Sequence, residues 1–285
     1  MDFSSWVLAH EAPLRLGFFF GILAVMGLWE VFAPRRPLTV SKPLRWTNNL
    51  GLVFLNTALV RLIFPAAAVG MAAFAADQGW GLFNHFDVPF ALAVIASVVA
   101  LDFIIYLQHV MFHAVPALWR LHRVHHADLD FDVTTGARFH PIEILLSMLI
   151  KFAAISVLGP PVLAVIIFEI LLNATAMFNH ANAKLPLGLD RILRRFVVTP
   201  DMHRVHHSIE EDESNCNFGF NLPWWDRLCG TYRAQPRAGH DGMTIGISSI
   251  RDPKVCDRLD GMLLIPFKGK ITGYVINRRK WTNNE

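Results

Sequence analysis

The sequence is short of charge. Asp, Glu, Lys and Arg make up 17% of its 285 residues, whereas soluble domains hold about 25%. Hydrophobic residues reach 53%, and the mean hydropathy is +0.38. Such a composition is typical of a membrane protein. The formal net charge of +3 is too small to identify a partner, and no nucleic-acid partner is expected.

Cysteines and cofactor motifs are also scarce. The three cysteines, Cys216, Cys229 and Cys256, have no metal-type spacing, and an odd number argues against a disulfide framework. We find no phosphate-binding glycine loop, no flavin or nicotinamide motif and no fused electron-carrier domain. Met1–Pro13 lacks the basic segment that begins a cleavable signal peptide. Free thiols are therefore expected, and any redox reaction is expected to draw electrons from another protein.

Long apolar stretches are what the sequence does hold. A bilayer core requires about 20 apolar residues in a helix, with a range of about 17–25. The second and third stretches meet this length easily, whereas the first is short and ends at Trp29 and Glu30. We expect an all-α integral membrane protein with four to five transmembrane helices in a single membrane domain, residues 1–285. The predicted spans are residues 16–32, 50–76, 88–107, 142–158 and 162–178.

The last two spans are separated by Gly159-Pro160-Pro161. This predicts the tip of a helical hairpin, because two prolines cannot continue a helix. Lys151 and Glu169 each lie nine residues from Pro160, and therefore at about the same depth. A lone charge near the bilayer centre costs roughly 2.5–3.5 kcal/mol, which pairing offsets. We expect Glu169 to contact Lys151, with Arg61 of the second span as the rival partner.

Basic residues orient the chain. The loop after the first span holds Arg35, Arg36, Lys42 and Arg45, whereas residues 77–87 and 159–161 hold no Lys or Arg. The positive-inside rule then places residues 33–49 in the cytoplasm. By the same rule residues 108–141 and 179–235 form a cytosolic helical cap, and residues 236–285 form a cytosolic tail.

Histidine is unusually abundant: the chain has 13, against only three tyrosines. Residues at i, i+3 and i+4 share a face of a helix, so each histidine cluster is expected to aim its imidazoles at one point. Imidazole is a ligand for iron, copper and zinc. The clusters are His109 and His113; His122, His125 and His126; and His203, His206 and His207.

Two further histidines, His140 and His180, lie near the same predicted membrane face. A lone histidine is usually structural or solvated, which is our interpretation of His10, His85 and His240. His140 precedes a proline, so capping a helix start is an alternative to metal binding. Three clusters on one side, two with the same pentapeptide His-Arg-Val-His-His, are hard to attribute to chance. One zinc ion takes three or four protein ligands, so eight to ten histidines predict two metal ions with four or five ligands each.

At these motifs the sequence resembles the fatty acid hydroxylase/sterol desaturase superfamily, which is marked by H-x3-4-H and two H-x2-3-H-H motifs. The resemblance covers roughly residues 90–235. Supporting matches are Asp102–Tyr106, Thr135–Glu143, Asn217–Gly219 and Trp225–Tyr232. The motifs read His109-Val-Met-Phe-His113, His122-Arg-Val-His125-His126 and His203-Arg-Val-His206-His207.

The resemblance implies a di-iron centre in the cap, with the eight motif histidines as ligands and His180 as a ninth. Ala176 stands where the family usually has Gln, four residues before that ninth histidine. It implies that dioxygen and two electrons oxidise a C–H bond of a lipid taken from the bilayer, by hydroxylation, desaturation or ether cleavage. Fatty acyl, sterol, hopanoid, carotenoid and ether lipids all stay open as substrates, and so does the oligomeric state.

Electrons are expected from an external ferredoxin or cytochrome with its NAD(P)H reductase. Zinc is expected to replace iron readily in purified protein, because it binds such ligands more tightly than ferrous iron. Three carboxylates are candidates to hydrogen-bond a ligand imidazole: Asp102, Glu143 and Asp226.

A basic stripe of Arg191, Arg194 and Arg195 follows the fifth span. It is interpreted as the charge of a cytoplasmic membrane edge; binding of anionic lipid or of an acidic ferredoxin are the alternatives.

Two other functions are weighed against the oxygenase. A zinc-dependent membrane hydrolase would usually carry H-E-x-x-H with a glutamate base, and no such string occurs. A metal transporter or metal sensor is the second alternative. Transporters place polar ligands near the bilayer midplane, whereas these histidines gather at one edge.

Overall fold

The structure, a computed structural model, describes residues 3–271 and 273–276. Within them the secondary structure is helical, with isolated β-bridges in place of strands. The end of the predicted tail, residues 277–285, lies outside the described residues. Two 3-10 turns cover Thr135–Ala137 and Ile265–Phe267. The α-helices are α1 Phe3–Ala9, α2 Glu11–Phe32, α3 Lys42–Ile63, α4 Ala67–Asp77, α5 Leu82–His85, α6 Phe90–Ala114, α7 Pro116–His126, α8 Pro141–Leu158, α9 Val162–Asn179, α10 Leu187–Leu193, α11 Pro200–His206, α12 Glu211–Ser214, α13 Trp224–Leu228, α14 Gly239–Gly242, α15 Pro253–Cys256 and α16 Leu259–Leu264.

Five stretches of the described chain are long and apolar enough to cross a membrane. The prediction of an all-helical protein with four to five such segments is confirmed. The first of them is a 22-residue helix, longer than predicted. An ion pair of 2.7 Å between Glu11 and Arg15, four residues apart, lies in its first turns. The five stretches are Glu11–Phe32, Lys42–His85, Phe90–Ala114, Pro141–Leu158 and Val162–Asn179.

The second predicted span, residues 50–76, is two helices rather than one. α3 ends at Ile63 and α4 begins at Ala67. The break has a local cause, because Pro65 offers no N–H to a helix and Ala67 has a left-handed φ of +48°. α3 also begins earlier than predicted, so Arg45 lies in a helix and is buried rather than in a solvated loop.

The hairpin between α8 and α9 has its tip at the predicted residues. Gly159 ends α8 with a left-handed φ of +61°, and Pro161 caps the start of α9. A Cβ at Gly159 would lie 2.4 Å from the carbonyl oxygen of Trp80, so this turn requires glycine. The hairpin is thereby seated against the loop that joins α4 to α5.

α9 is the central helix and packs against α2, α4 and α6. Ala68, Ala72 and Ala75 form the fully buried face of α4. Such small side chains let α4 approach its neighbours α8 and α9 closely. The apolar cluster at this contact also contains Leu101, Ile105, Ile155, Val165 and Phe168.

Glu169 of α9 is buried and holds two cations within the helical bundle. Its carboxylate oxygens lie 2.8 Å from Nζ of Lys151 and 3.0 Å from Nη2 of Arg15. The predicted contact with Lys151 is confirmed. Arg61 is exposed and forms no ion pair among the described residues, so the rival pairing is wrong. Arg15 takes that place because α2 packs directly on α9.

Glu169→Ala is expected to lower the free energy of unfolding in detergent by about 1–3 kcal/mol, because Lys151 and Arg15 lose their shared counter-charge. The loss is limited because Arg15 is partly exposed and keeps Glu11 as a partner. Thermal unfolding and metal content would be measured together, and metal content should not change. Glu11→Ala, which removes only the more exposed partner of Arg15, should change stability by about 0–1 kcal/mol. Equal melting of the two variants would contradict the role given to Glu169.

The cap is built from α7, α11 and the loops beside them, over the ends of α6 and α9. Trp119 and Val124 of α7 form a core with Met262, Ile265 and Tyr274. Residues of the predicted tail thus contribute apolar side chains to this core. Glu30 at the end of α2 is also buried, and it accepts hydrogen bonds from the N–H groups of residues 133 and 182.

Candidate metal centre

Nine histidines from four places in the chain meet where α6 and α9 end. They come from α6, from α7, from the residue after α9, and from α11 with the residue that follows it. Their side chains are buried, and within each of two groups all ligand nitrogens lie within 4.8 Å of one another. The first group is His109, His113, His122, His126 and His206; the second is His125, His180, His203 and His207.

Main-chain carbonyls hold the ring protons in the first group. Nδ1 of His109 lies 2.8 Å from the carbonyl oxygen of Phe218, and Nδ1 of His206 lies 2.7 Å from that of Cys216. A carbonyl oxygen only accepts, so each Nδ1 carries the proton. The Nε2 atoms of both rings are therefore left with lone pairs.

These lone pairs face one another. Nε2 of His109 lies 3.0 Å from Nε2 of His206 and 3.1 Å from Nε2 of His122, and Nε2 of His113 lies 3.2 Å from Nε2 of His126. Two acceptors cannot form a hydrogen bond. Two nitrogens bound to one ion at about 2.0–2.1 Å, with bonds at right angles, would lie about 3 Å apart. The spacing therefore suits a shared metal ion.

The second group contains buried nitrogens without hydrogen bonds. Nδ1 of His180 donates to the carbonyl oxygen of Ala176 at 2.8 Å, which leaves its Nε2 3.2 Å from His125 and 3.1 Å from His203. Both nitrogens of His207, one of which carries a lone pair in the neutral ring, have no hydrogen-bond partner among the described residues. A buried polar atom without a partner costs about 1–3 kcal/mol. A metal cation is a partner that suits such lone pairs.

The imidazoles of the cap are held neutral. Burial, and then the neighbouring imidazoles, lower the pKa of His125 and of His207 well below its ordinary value. The same causes act on His203 and His206, whose pKa values are also lowered well below the ordinary one. Neutral imidazole is the form that binds metal.

The sequence predicted that each cluster aims its imidazoles at one point. This is wrong for the two clusters on α7 and α11. On a helix of 3.6 residues per turn, position i+4 lies about 40° around the axis from position i. Position i+3 lies about 60° from position i in the opposite direction. His122 and His126 accordingly join the first group, while His125 joins the second. On α11 the pattern is reversed, since His203 and His207 join the second group and His206 joins the first. The two groups adjoin, because the rings of His126 and His207 stack at 4.6 Å.

The remaining histidines lie outside both groups. His140 caps α8: its Nδ1 accepts from the N–H of Ile142 at 3.2 Å, and its Nε2 lies 3.3 Å from the carbonyl oxygen of Leu263. This is the capping alternative, and His140 is left out of the ligand set proposed below. His240 is buried beside Asp201, with 3.7 Å between Nε2 and Oδ2.

Glu143 is the carboxylate that contacts a ligand-group imidazole directly. Its Oε1 lies 2.6 Å from Nδ1 of His122. Asp226 acts one bond further out, because it accepts from the N–H of Phe218 at 2.7 Å, and the carbonyl of Phe218 holds His109. Asp102 contacts no imidazole; it accepts from Nε1 of Trp225 at 2.8 Å. It thus ties α6 to α13.

A buried ion network was missed from the sequence. Arg45 of α3 donates from Nε and Nη2 to the two oxygens of Asp128, both at 2.8 Å, and from Nη1 to Asp132 at 2.5 Å. Asp128 stands two residues after His126, so the network fixes the end of α7. Although burial acts to raise it, the cations of Arg45 and Arg138 hold the pKa of Asp128 below its ordinary value. The alternation of aspartates at 128, 130 and 132 directly after a histidine cluster was the available signal.

Gly136 was also missed. A Cβ there would lie 2.5 Å from the carbonyl oxygen of Ala176 and 3.0 Å from Nδ1 of His180. The loop thus closes tightly over the atoms that orient His180. Because a main-chain carbonyl holds this imidazole, the replacement of the usual Gln by Ala176 does not leave its Nδ1 without a partner.

The comparisons with known proteins match the part of the chain that holds these histidines. The profile of the family described as fatty acid hydroxylase matches residues 94–231. The chain is 28% identical to an ornithine lipid hydroxylase of Rhizobium tropici over 266 residues. The aligned region is 90% of this chain and 76% of that protein.

Two animal relatives match a smaller part of the chain. An alkylglycerol monooxygenase of Homo sapiens is 29% identical over 181 residues, 62% of this chain and 39% of that protein. A cholesterol 25-hydroxylase of Rattus norvegicus is 23% identical over 146 residues, which are 51% of this chain and 48% of that protein. No solved structure matches the chain. By its histidine motifs the chain resembles the fatty acid hydroxylase/sterol desaturase superfamily, and the profile match and these relatives confirm that resemblance.

Proposed function

We propose that this protein is a dioxygen-dependent lipid hydroxylase with a di-iron centre. The observation that carries the proposal is the pair of adjacent groups of five and four buried histidines, at the ends of helices long enough to cross a membrane. The relatives described above are named as hydroxylases or monooxygenases of an ornithine lipid, an alkylglycerol and cholesterol. Their names support a lipid substrate, and favour hydroxylation over desaturation.

The donor set fits iron better than structural zinc. Zinc prefers four ligands in a tetrahedron, whereas the first group offers five imidazoles. Imidazole suits iron as well, and four or five ligands leave a position open on an octahedral ion. A di-iron centre, when bound, supplies the dioxygen-dependent oxidation of an unactivated C–H bond that no side chain can carry out. The overall reaction takes the lipid C–H bond, one dioxygen, two electrons and two protons to a lipid alcohol and one water.

The residues of this chain orient the ligands and exclude water. Glu143 holds the Nδ1 proton of His122, so that Nε2 of that ring points to the first group. The ring of Phe139 stacks on His125 at 4.5 Å with an interplanar angle of 13°, and Phe131 stacks on His180 at 5.4 Å. These aromatic rings fix the imidazole planes and line the second group with apolar surface.

Phe220 lies between the histidines and the membrane helices. Its ring is 5.7 Å from His109 of the first group and 6.3 Å from His203 of the second. It is half-buried and packs against the apolar cluster of α4, α6, α8 and α9 that contains Leu101 and Phe168. Phe220 therefore lies on the membrane side of both groups, which is the side from which a lipid substrate is proposed to approach.

Turnover is expected to need an external electron donor. Protein purified from iron-supplied cells should hold about two metal ions per chain, as the two ligand groups predict. With dioxygen and NADPH alone it should convert no lipid, and a ferredoxin or cytochrome with its reductase should restore conversion. Labelled dioxygen should place one labelled oxygen in the lipid alcohol, measured by mass spectrometry of lipids from membranes with and without the protein.

Sustained lipid oxidation without any such partner would show that the prediction of an external electron donor is wrong. A product whose new oxygen comes from water, formed without dioxygen, would instead support the zinc hydrolase. Zinc in the purified protein would not decide between the two, because zinc binds such ligands more tightly than ferrous iron.

A further inference from the structure

An apolar surface with unpaired cations lies beside the metal centre, on two short segments of the cap. We call residues 187–196 and 224–228 the platform. Nε1 of Trp224 donates to the carbonyl oxygen of Arg195 at 2.8 Å, and Arg227 donates to that of Arg194 at 3.1 Å, so the two segments form one surface. Its outward apolar side chains are 41–76% exposed: Leu187, Leu189, Ile192, Phe196, Trp224 and Leu228.

The inward side of the platform is polar, and its carboxylates accept hydrogen bonds from the protein. Asp190 is buried, accepts from the hydroxyl of Thr199 at 2.6 Å and pairs with Arg194. Trp225 and Asp226 point to Asp102 and to the N–H of Phe218. The polarity is thus the reverse of a solvated surface, since carboxylates face the protein and large apolar groups face outwards. Monomeric soluble surfaces rarely expose contiguous apolar patches of this kind.

The platform stands level with a membrane-spanning helix. Trp225 bonds to Asp102 and its ring lies 4.7 Å from that of Phe103, both on α6. Asp102 comes 12 residues after Phe90, the first residue of α6, about 18 Å along the helix at about 1.5 Å per residue. The hydrocarbon core is about 30 Å thick. The outward face of the platform therefore lies within reach of the leaflet on the histidine side.

The exposed charges of the platform region are positive. Lys184, Arg191 and Arg195 are exposed and form no ion pair within residues 3–271 and 273–276. The carboxylates of the platform, Asp190 and Asp226, are buried. Cations beside an apolar face are the pattern of a segment that lies in a membrane interface and attracts anionic headgroups.

We propose that the platform is embedded in the interface of the leaflet on the histidine side, where Lys184, Arg191 and Arg195 bind anionic phospholipid headgroups. A bilayer fits this surface better than a soluble electron carrier, because a carrier that dissociates would leave six large apolar side chains in water. Since Trp225 and Asp226 join the platform to Asp102 and Phe218, its seating in the leaflet also braces the loop that holds His109.

Spin labels test the depth of the platform without any readout of metal or turnover. Phe196→Cys and Leu228→Cys would be labelled in a Cys229→Ser background, because Cys229 is exposed, with Ser249→Cys as an exposed polar control in the cap. The parent without an added cysteine corrects for Cys216 and Cys256. In nanodiscs we expect labels at 196 and 228 to collide several-fold more with dioxygen than with a water-soluble nickel chelate, and the label at 249 to do the reverse.

Lipid composition tests the charge. Adding phosphatidylglycerol to phosphatidylcholine discs should deepen the label at 228, and the triple variant Lys184→Ala, Arg191→Ala and Arg195→Ala should abolish that shift, as should high salt. If the labels at 196 and 228 are as open to the nickel chelate as the label at 249, the platform lies in water and the proposal is wrong. If they become protected only when a reduced ferredoxin is added, the surface is a protein docking site instead. A shift that persists in this triple variant would refute the assignment of the cations.

Discussion

His206→Ala is expected to remove one of the two metal ions and to reduce turnover by more than about 100-fold. Loss of an outer partner of a ligand costs roughly 10–100-fold, and His206 is proposed as a direct ligand, with Nε2 3.0 Å from Nε2 of His109. Metal per chain would be measured by mass spectrometry of the purified protein, and turnover by lipid alcohol formed with an electron donor. Glu143→Gln alters only the hydrogen-bond partner of His122, and it should reduce turnover by about 10–100-fold.

His140→Ala is the matched control. His140 is also a buried histidine in a predicted motif segment, but it caps α8 and contacts the carbonyl of Leu263. Its replacement should leave two metals bound and lower stability by about 0.5–2 kcal/mol, the usual cost of a lost helix cap. Full activity in His206→Ala, or equal metal loss in His140→Ala, would show that the ligand set is wrongly drawn.

Arg45→Ala is expected to be the most destabilising substitution considered, at about 3–5 kcal/mol, because it removes the cation paired with buried Asp132 and leaves buried Asp128 with only the more distant Arg138, at 3.6 Å. Arg45, Asp128 and Asp132 are all fully buried. Arg45→Lys should recover only part of the loss, since an ammonium cannot reproduce the bidentate contact with Asp128. Thermal and denaturant unfolding in detergent would measure the effect.

Arg258→Ala is the control for charge removal. Arg258 pairs with Asp260 at 3.1 Å, and both side chains are more than half exposed, so the change should cost about 0–1 kcal/mol. If Arg45→Ala is no less stable than Arg258→Ala, the network around Asp128 does not hold the cap. If the Arg45→Ala variant loses metal at a lower temperature than it unfolds, the network also positions His126.

Local signals in the sequence were enough for much of the fold. The hairpin tip follows from Gly159-Pro160-Pro161, because proline and a left-handed glycine stop a helix wherever they stand. The helical spacing of His109 and His113 is retained on α6. The break at Pro65 carried the same kind of signal within the second span, and it was passed over because the apolar composition on both sides is continuous.

Contacts between distant segments were beyond the sequence patterns. The charge of Arg45 suggested a cytoplasmic loop, yet its partners Asp128 and Asp132 lie more than 80 positions away, with separations of 83 and 87 residues. Arg15 rather than Arg61 pairs with Glu169 because α2, not α3, packs on that side of α9. Composition and hydropathy carry no record of which helices become neighbours.

By itself the sequence determined that the protein is a helical membrane protein, which histidines cluster on short helices, and where the hairpin turns. These features depend on apolar length, on helical periodicity and on residues that stop helices. Only the tertiary structure decided how the histidines divide. His125 and His206 each leave their own cluster for the other group, because position i+3 turns to the opposite side from i+4 and another helix stands there to meet it. The docking of α7 against α11 therefore turns repeated motifs into two adjoining sites.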